Sequence, residues 1–162
     1  MIYAECNGHS FLVMSLTRFT RKEIDHEIGK PRVCNRLKEA RNGKALIDED
    51  PFSIQPPYIE RLGPGNDLQP HGLKLLRDVS RNHDLIILCP ELGAWLLGAA
   101  KEVGIDVRKH EFPGDPKSLH HEIERDVISG HGGRTRRLLE DLKDSQRLRM
   151  LRRLLESKGQ KN

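Results

Sequence analysis

The sequence predicts an α/β fold, with a mostly parallel sheet of about four strands flanked by helices and a C-terminal basic helical extension. Three observations predict it. Short apolar runs at Ile2–Ala4, Ala45–Asp48 and Leu85–Leu88 have the length of buried strands. Between the early runs the order reads strand, helix, strand, helix, strand, which favours right-handed parallel crossovers. Beyond Arg134, leucines recur at helical spacing among Arg and Lys.

Ile2-Tyr3-Ala4-Glu5 forms the first strand. Asn7-Gly8 is a turn signal, and Ser10 is placed to cap a helix through Phe11–Leu16. Ile24–Ile28 alternates apolar and polar residues, as a second strand would. Gly29-Lys30-Pro31 is a turn, with Pro31 suited to a helix start. The helical spacing of Val33, Leu37 and Ala40 stops at Asn42-Gly43, before strand three at Ala45–Asp48. From Pro51 to Gly72 the chain is rich in Pro and Gly, including Pro56-Pro57 and Gly63-Pro64-Gly65-Asn66. A loop of that length serves as a substrate-facing lid or is a floppy insertion. Leu73–Ser80 reads as a short helix and Leu85–Leu88 as a fourth strand. Pro90-Glu91 opens a helix through Leu92, Trp95, Leu96 and Ala99, where Glu91 suits the helix dipole, with a site role at this strand end as the second reading. Gly104–Val107 reads as a small edge strand, followed by a helix from near Lys117 to before Gly130. Gly132-Gly133 is a hinge candidate, dividing an α/β domain over 1–128 from a basic helical tail over 129–162.

A chain of 162 residues accommodates one domain and an appendage, and its 36% hydrophobic and 32% charged content fits a soluble protein. No apolar run approaches the roughly 20 residues of a membrane span. Met1–Glu5 lacks the basic leader of a signal peptide, so the expected compartment is the cytoplasm. Cys6, Cys34 and Cys89 form no Cys-x-x-Cys pair, against a disulfide framework or a zinc ribbon. No phosphate-binding Gly-x-x-x-x-Gly-Lys loop, dinucleotide fingerprint or nucleophile elbow is present. The net charge of +4 is uneven: residues 134–162 hold ten Lys and Arg against four acids, and the rest holds eighteen against twenty. Aromatic content of 4% leaves few stacking platforms, so nucleic acid would be met mostly through its phosphates. Arg134, Arg136, Arg137 and Arg147 are the candidate contacts.

The sharpest chemical signal is Asp48-Glu49-Asp50-Pro51 at the end of strand three. Alternation along a strand would turn Asp48 and Asp50 the same way, at the edge of a parallel sheet where ligands bind. Converging carboxylates repel unless a cation such as Mg²⁺ lies between them. The plainer reading is a pair of turn acids satisfying local backbone donors. Glu5 ends the first strand in a third acid. Lys30, at the turn after strand two, is placed either to neutralise a phosphate or to stand in solvent. His9 and His26 suit metal or proton chemistry but lack a ligand spacing, and the adjacent His120 and His121 point apart on a helix, which disfavours a zinc site there.

Glu5-Cys6-Asn7-Gly8-His9, followed by Asp48-Glu49-Asp50, resembles the Toprim pattern of topoisomerases, primases and the OLD-family nucleases: a Glu after the first strand and Asp-x-Asp after the third. The likeness covers roughly the first 100 residues. It departs where the family often has Gly (here Cys6) and Asp (here His9). The resemblance implies a Toprim-like, Rossmann-like sheet and a small stand-alone nuclease that hydrolyses phosphodiesters of DNA or RNA. Glu5, Asp48 and Asp50 would hold Mg²⁺ or Mn²⁺, with Lys30 assisting. It also implies an ATPase subunit as partner, in a phage-defence system, or alternatively maturation of a structured RNA. A second expectation is a non-catalytic nucleic-acid or protein-binding module with a degenerate site, self-associating through its C-terminal helix. A metal-dependent glycosyl or nucleotidyl transferase is a third, but it would have no need of Glu5.

Overall fold

The structure, a computed structural model, describes residues 1–63 and 65–158. Its strands are β1 (Ile2–Ala4), β2 (Ile24–His26), β3 (Lys44–Asp48), β4 (Asn66–Leu68), β5 (Leu73–Asp78) and β6 (His83–Leu88). They form one sheet in the order β2-β1-β3-β6-β5-β4. The first four in that order run parallel, and β5 and β4 join antiparallel. The sheet is consistent with a Rossmann-like fold and has six strands where about four were expected.

Alternation along β3 and β6 separates two cores. Leu46, Ile86 and Leu88 face one apolar layer, and Ala45, Ile47, Leu85 and Ile87 face the other. The first layer carries α1 (Asn7–Leu16), α4 (Leu92–Val103), α5 (Pro116–Ser129), α6 (Gly133–Leu142) and α7 (Gln146–Glu156). The second carries α2 (Lys30–Glu39) and the short α3 (Pro57–Glu60). Strands sealed on both faces explain the near-continuous apolar runs.

The added strands come from segments read otherwise in the sequence. Leu73–Ser80 is not a helix: it pairs through all six residues of β5 with β6, Leu73 opposite Leu88 and Asp78 opposite His83. The Pro- and Gly-rich stretch supplies α3 and the edge strand β4, so it is not one long loop; Pro64 lies outside the described residues. Gly104–Val107 is not a strand. Gly104 ends α4 at φ 69°, and the Asp106 side chain caps a 3₁₀ turn over Val107–His110. Helix α1 starts at Asn7, capped by Cys6 and not by Ser10. The basic tail forms two helices, and its Leu138, Leu139, Leu142, Leu148, Leu151 and Leu155 lie buried in the same cluster as Leu12 and Trp95. Among the described residues no helix is long and apolar enough to cross a membrane.

Asp78 ties the antiparallel edge to α3. Its carboxylate accepts from Tyr58 Oη and Ser80 Oγ, both at 2.6 Å, and from the Arg81 amide at 3.2 Å. Burial alone would raise the carboxyl, but these donors and the Arg81 guanidinium outweigh it and lower its pKa to about 2. A carboxyl depressed on folding stabilises the protein above its unfolded value near 4, and that contribution fades as pH falls toward 2. Asp78→Asn is therefore expected to lose on the order of 1–2 kcal/mol at neutral pH and much less near pH 2. Urea unfolding of both proteins at pH 7 and at low pH checks it; a difference that does not shrink with acid contradicts the assignment.

Candidate metal centre

Three adjacent parallel strands each deliver an acid to their C-terminal edge: Glu5 follows β1, Asp48 ends β3, and Glu91 follows β6. The Glu5 amide donates to Leu46 O, and its Oε2 accepts from the Asp48 amide at 2.7 Å, tying the two strand ends together. Asp48 has the same parity as Leu46, so it faces the five-helix layer, and it is 3% exposed. There α1 and α5 bring imidazoles to it. His9, fully buried in the first turn of α1, places Nε2 2.9 Å from Asp48 Oδ1 and Nδ1 2.9 Å from Cys6 Sγ. His120 of α5 places Nδ1 2.9 Å from Glu91 Oε2 and 3.9 Å from Asp48 Oδ2. Glu91 also caps α4 through the Gly93 and Ala94 amides.

The charges explain one another. Burial, together with Asp48 and Asp50, raises the Glu5 carboxyl despite His9 and the Asp48 amide. Burial opposes a charge on His9, yet Cys6 and Asp48 hold its pKa well above the ordinary value. Burial likewise opposes the charge on His120, but hydrogen bonds to Cys6 and Glu91 and the charge of Asp48 raise it to about 10. Burial would raise Glu91, which His120 and the helix amides instead lower. Two imidazoles with raised pKa values thus face the acids of this edge.

The donor atoms of Glu5, His9 and Asp48 lie within 4.8 Å of one another, as do those of Asp48, Glu91 and His120, and those of Cys6, His120 and Glu124. Among the described residues, Asp50 belongs to none of these groups. Strand alternation does not reach it: β3 ends at Asp48, Asp50 takes φ 45°, and its amide donates to Pro90 O. Its carboxylate stands 3.5 Å from the Lys30 amine. Lys30, 6% exposed at the start of α2, donates to Glu49 O and Gln55 Oε1, each at 3.0 Å, and so pins the loop after β3.

Beside Asp48, on the opposite face of the sheet, lies a cavity of about 510 Å³ with Ile47, Ile59, Leu76 and Ile87 in its walls. Gln55, Asn66, Asp67 and Lys74 add polar groups, and Lys74 pairs with Glu49. Its size is that of an ordinary small-ligand site.

The candidate phosphate contacts divide. The Arg134 guanidinium lies 4.8 Å from the Phe112 ring centre, donates to Glu111 O and pairs with Glu122 and Asp126. Arg147 pairs with Glu102 at 3.1 Å and donates to Trp95 O. These two fasten α6 and α7 to the body. Arg136, over the Phe11 ring, and Arg137 are exposed.

No protein-family model, curated protein or solved structure matches this chain.

The sequence pattern did not single out Glu91, His120 or Glu124 as one site. Two signals point to them: His120 and Glu124 are four apart on one face of α5, and Glu91 follows a buried strand as Glu5 does.

Proposed function

We propose that the protein is a metal-dependent phosphodiesterase acting on nucleic acid, with a divalent cation held by Glu5, His9 and Asp48. The observation that carries this reading is the convergence of Glu5 and Asp48, from the ends of two neighbouring parallel strands, on His9 at the edge where such sheets bind ligands. Two carboxylates and an imidazole form a mixed oxygen and nitrogen donor set. It fits Mn²⁺ better than Mg²⁺, which favours near-complete oxygen coordination. When bound, the cation supplies Lewis-acid polarisation of a phosphoryl oxygen and acidifies water. Lys30 positions Asp50 and the Glu49 carbonyl without entering the group. The neighbouring cavity has room for a base or sugar of the substrate. An ATPase subunit as partner and a role in phage defence rest on the Toprim resemblance alone.

Purified full-length protein incubated with labelled DNA and RNA, single-stranded and duplex, tests the reading. Cleavage with Mn²⁺ that stops on chelation supports it. A second reading, a non-catalytic binding module, is favoured by the His9–Asp48 pair, which neutralises the central acid without any cation. Nucleic-acid binding with no cleavage under any divalent metal selects it.

The raised imidazoles give a further expectation. A cation must displace a proton from His9 to gain its nitrogen, and it is repelled by protonated His120. Metal binding should therefore release protons, and apparent affinity should rise about tenfold per pH unit for each proton released. Calorimetry in buffers of different ionisation enthalpy, between pH 6 and 8, measures this. Affinity that is flat with pH, with no proton released, rules His9 out as a ligand.

A further inference from the structure

We propose that Cys6, His120 and Glu124 form a zinc site separate from the Glu5, His9 and Asp48 group, with Glu91 orienting His120. The two groups share no residue. Three geometric facts support the assignment.

His120 Nδ1 faces Glu91 Oε2 at 2.9 Å, so Nε2 is the nitrogen turned to Cys6. A carboxylate behind one ring nitrogen, fixing the tautomer and the ring, is the usual support of a zinc-ligating histidine. The Nε2 to Sγ separation is 3.7 Å. Two ligands of a tetrahedral zinc ion, with bonds of about 2.3 Å to sulfur and about 2.0–2.1 Å to nitrogen, stand about 3.5 Å apart. The observed distance is close to that tetrahedral edge. Glu124 gives the third donor. Its Oε1 accepts from the Gly8 amide at 2.5 Å, which ties α5 to the first turn of α1, while the carboxylate remains within 4.8 Å of the other two donor groups.

The supports around the thiol match. Cys6 caps α1, its sulfur accepting from the His9 amide, and His9 Nδ1 lies 2.9 Å from the same sulfur. All three ligands are half-buried, which leaves a path for the ion. A thiolate, an imidazole and a carboxylate are a borderline-soft set that selects Zn²⁺ over Mg²⁺ or Ca²⁺. Three protein ligands leave the fourth tetrahedral position for water or a phosphate oxygen.

Cobalt substitution reads the site without reference to activity. Full-length protein titrated with Co²⁺ is expected to show a thiolate-to-cobalt charge-transfer band and the intense visible bands of tetrahedral Co²⁺. Both should be displaced by one equivalent of Zn²⁺. Cys6→Ser should abolish the charge-transfer band, Cys89→Ser should keep it, and Glu124→Gln should weaken Zn²⁺ binding at least tenfold. Should Cys6→Ser fail to fold by circular dichroism, alkylation of the wild-type protein decides: saturating Zn²⁺ should protect Cys6, read by mass spectrometry. No thiolate band in the wild type, a band that survives Cys6→Ser or disappears in Cys89→Ser, or a Cys6 alkylated equally with and without Zn²⁺ overturns the proposal.

Discussion

Asp48→Asn is expected to lower Mn²⁺-dependent cleavage by about a thousandfold or more, the scale of losing a group that acts only through charge at the reacting centre. Asp48 is the acid that the geometry makes central. Its carboxylate contacts His9 and approaches His120, and its amide holds Glu5. The asparagine keeps the shape and removes only the charge. Folding should suffer mildly, because His9 loses an ionic partner and reverts toward the neutral imidazole that burial favours. Single-turnover cleavage at saturating Mn²⁺, with thermal melting alongside, separates chemistry from stability. A variant that cleaves like the wild type would remove Asp48 from the site. Asp50→Asn should cost far less, since that carboxylate stands with Lys30 outside the donor groups.

The second large effect concerns the C-terminal helices. Deleting residues 134–162 removes six leucines that are at most 4% exposed and strips the cover from Leu12 and Trp95 in the same cluster. At about 1.5–3 kcal/mol per fully buried leucine, the loss matches or exceeds the roughly 5–15 kcal/mol that holds a typical domain together. Lys44, the first residue of β3, also donates to the carbonyls of Leu154 and Ser157, clamping the end of α7 to the sheet. The truncated chain is therefore expected to be insoluble or to lack a cooperative thermal transition. A hinge at Gly132-Gly133, as the sequence suggests, would instead leave the α/β domain folded without its tail. A truncation that melts like the full chain would show that these helices do not complete the core.

The parallel half of the sheet was legible because strands buried on both faces are written as short apolar runs between helices. Strand β5 was not. Leu73, Leu75 and Leu76 with Lys74 and Arg77 fit either period over so short a stretch, and antiparallel pairing with β6, a tertiary contact, decides the matter. Strand β4 has three residues and exists only through β5. At the site, Glu5 and Asp48 could be read because each ends a recognisable strand. His120 was set aside because adjacent histidines on a helix diverge. They do diverge: His121 is exposed, and that divergence is what leaves His120 free to face Asp48 and Cys6. The sequence places Glu91 as a first-turn acid suited to the helix dipole, with a site role second; in the structure it is the N-cap of α4. It also holds His120. The relay that joins Cys6, His9 and Asp48 spans chain separations of 3 and 39 residues, and the β1–β3 pairing closes the longer one.

Electron paramagnetic resonance of Mn²⁺ tests the central claim most directly, because the free ion gives a six-line spectrum that weakens when the ion is bound. Titrated at pH 8, the wild-type protein is expected to sequester at least one equivalent, and the Glu5→Gln, Asp48→Asn double variant one equivalent fewer. A wild-type protein that leaves all the Mn²⁺ free, or a double variant that sequesters as much as the wild type, would contradict the account.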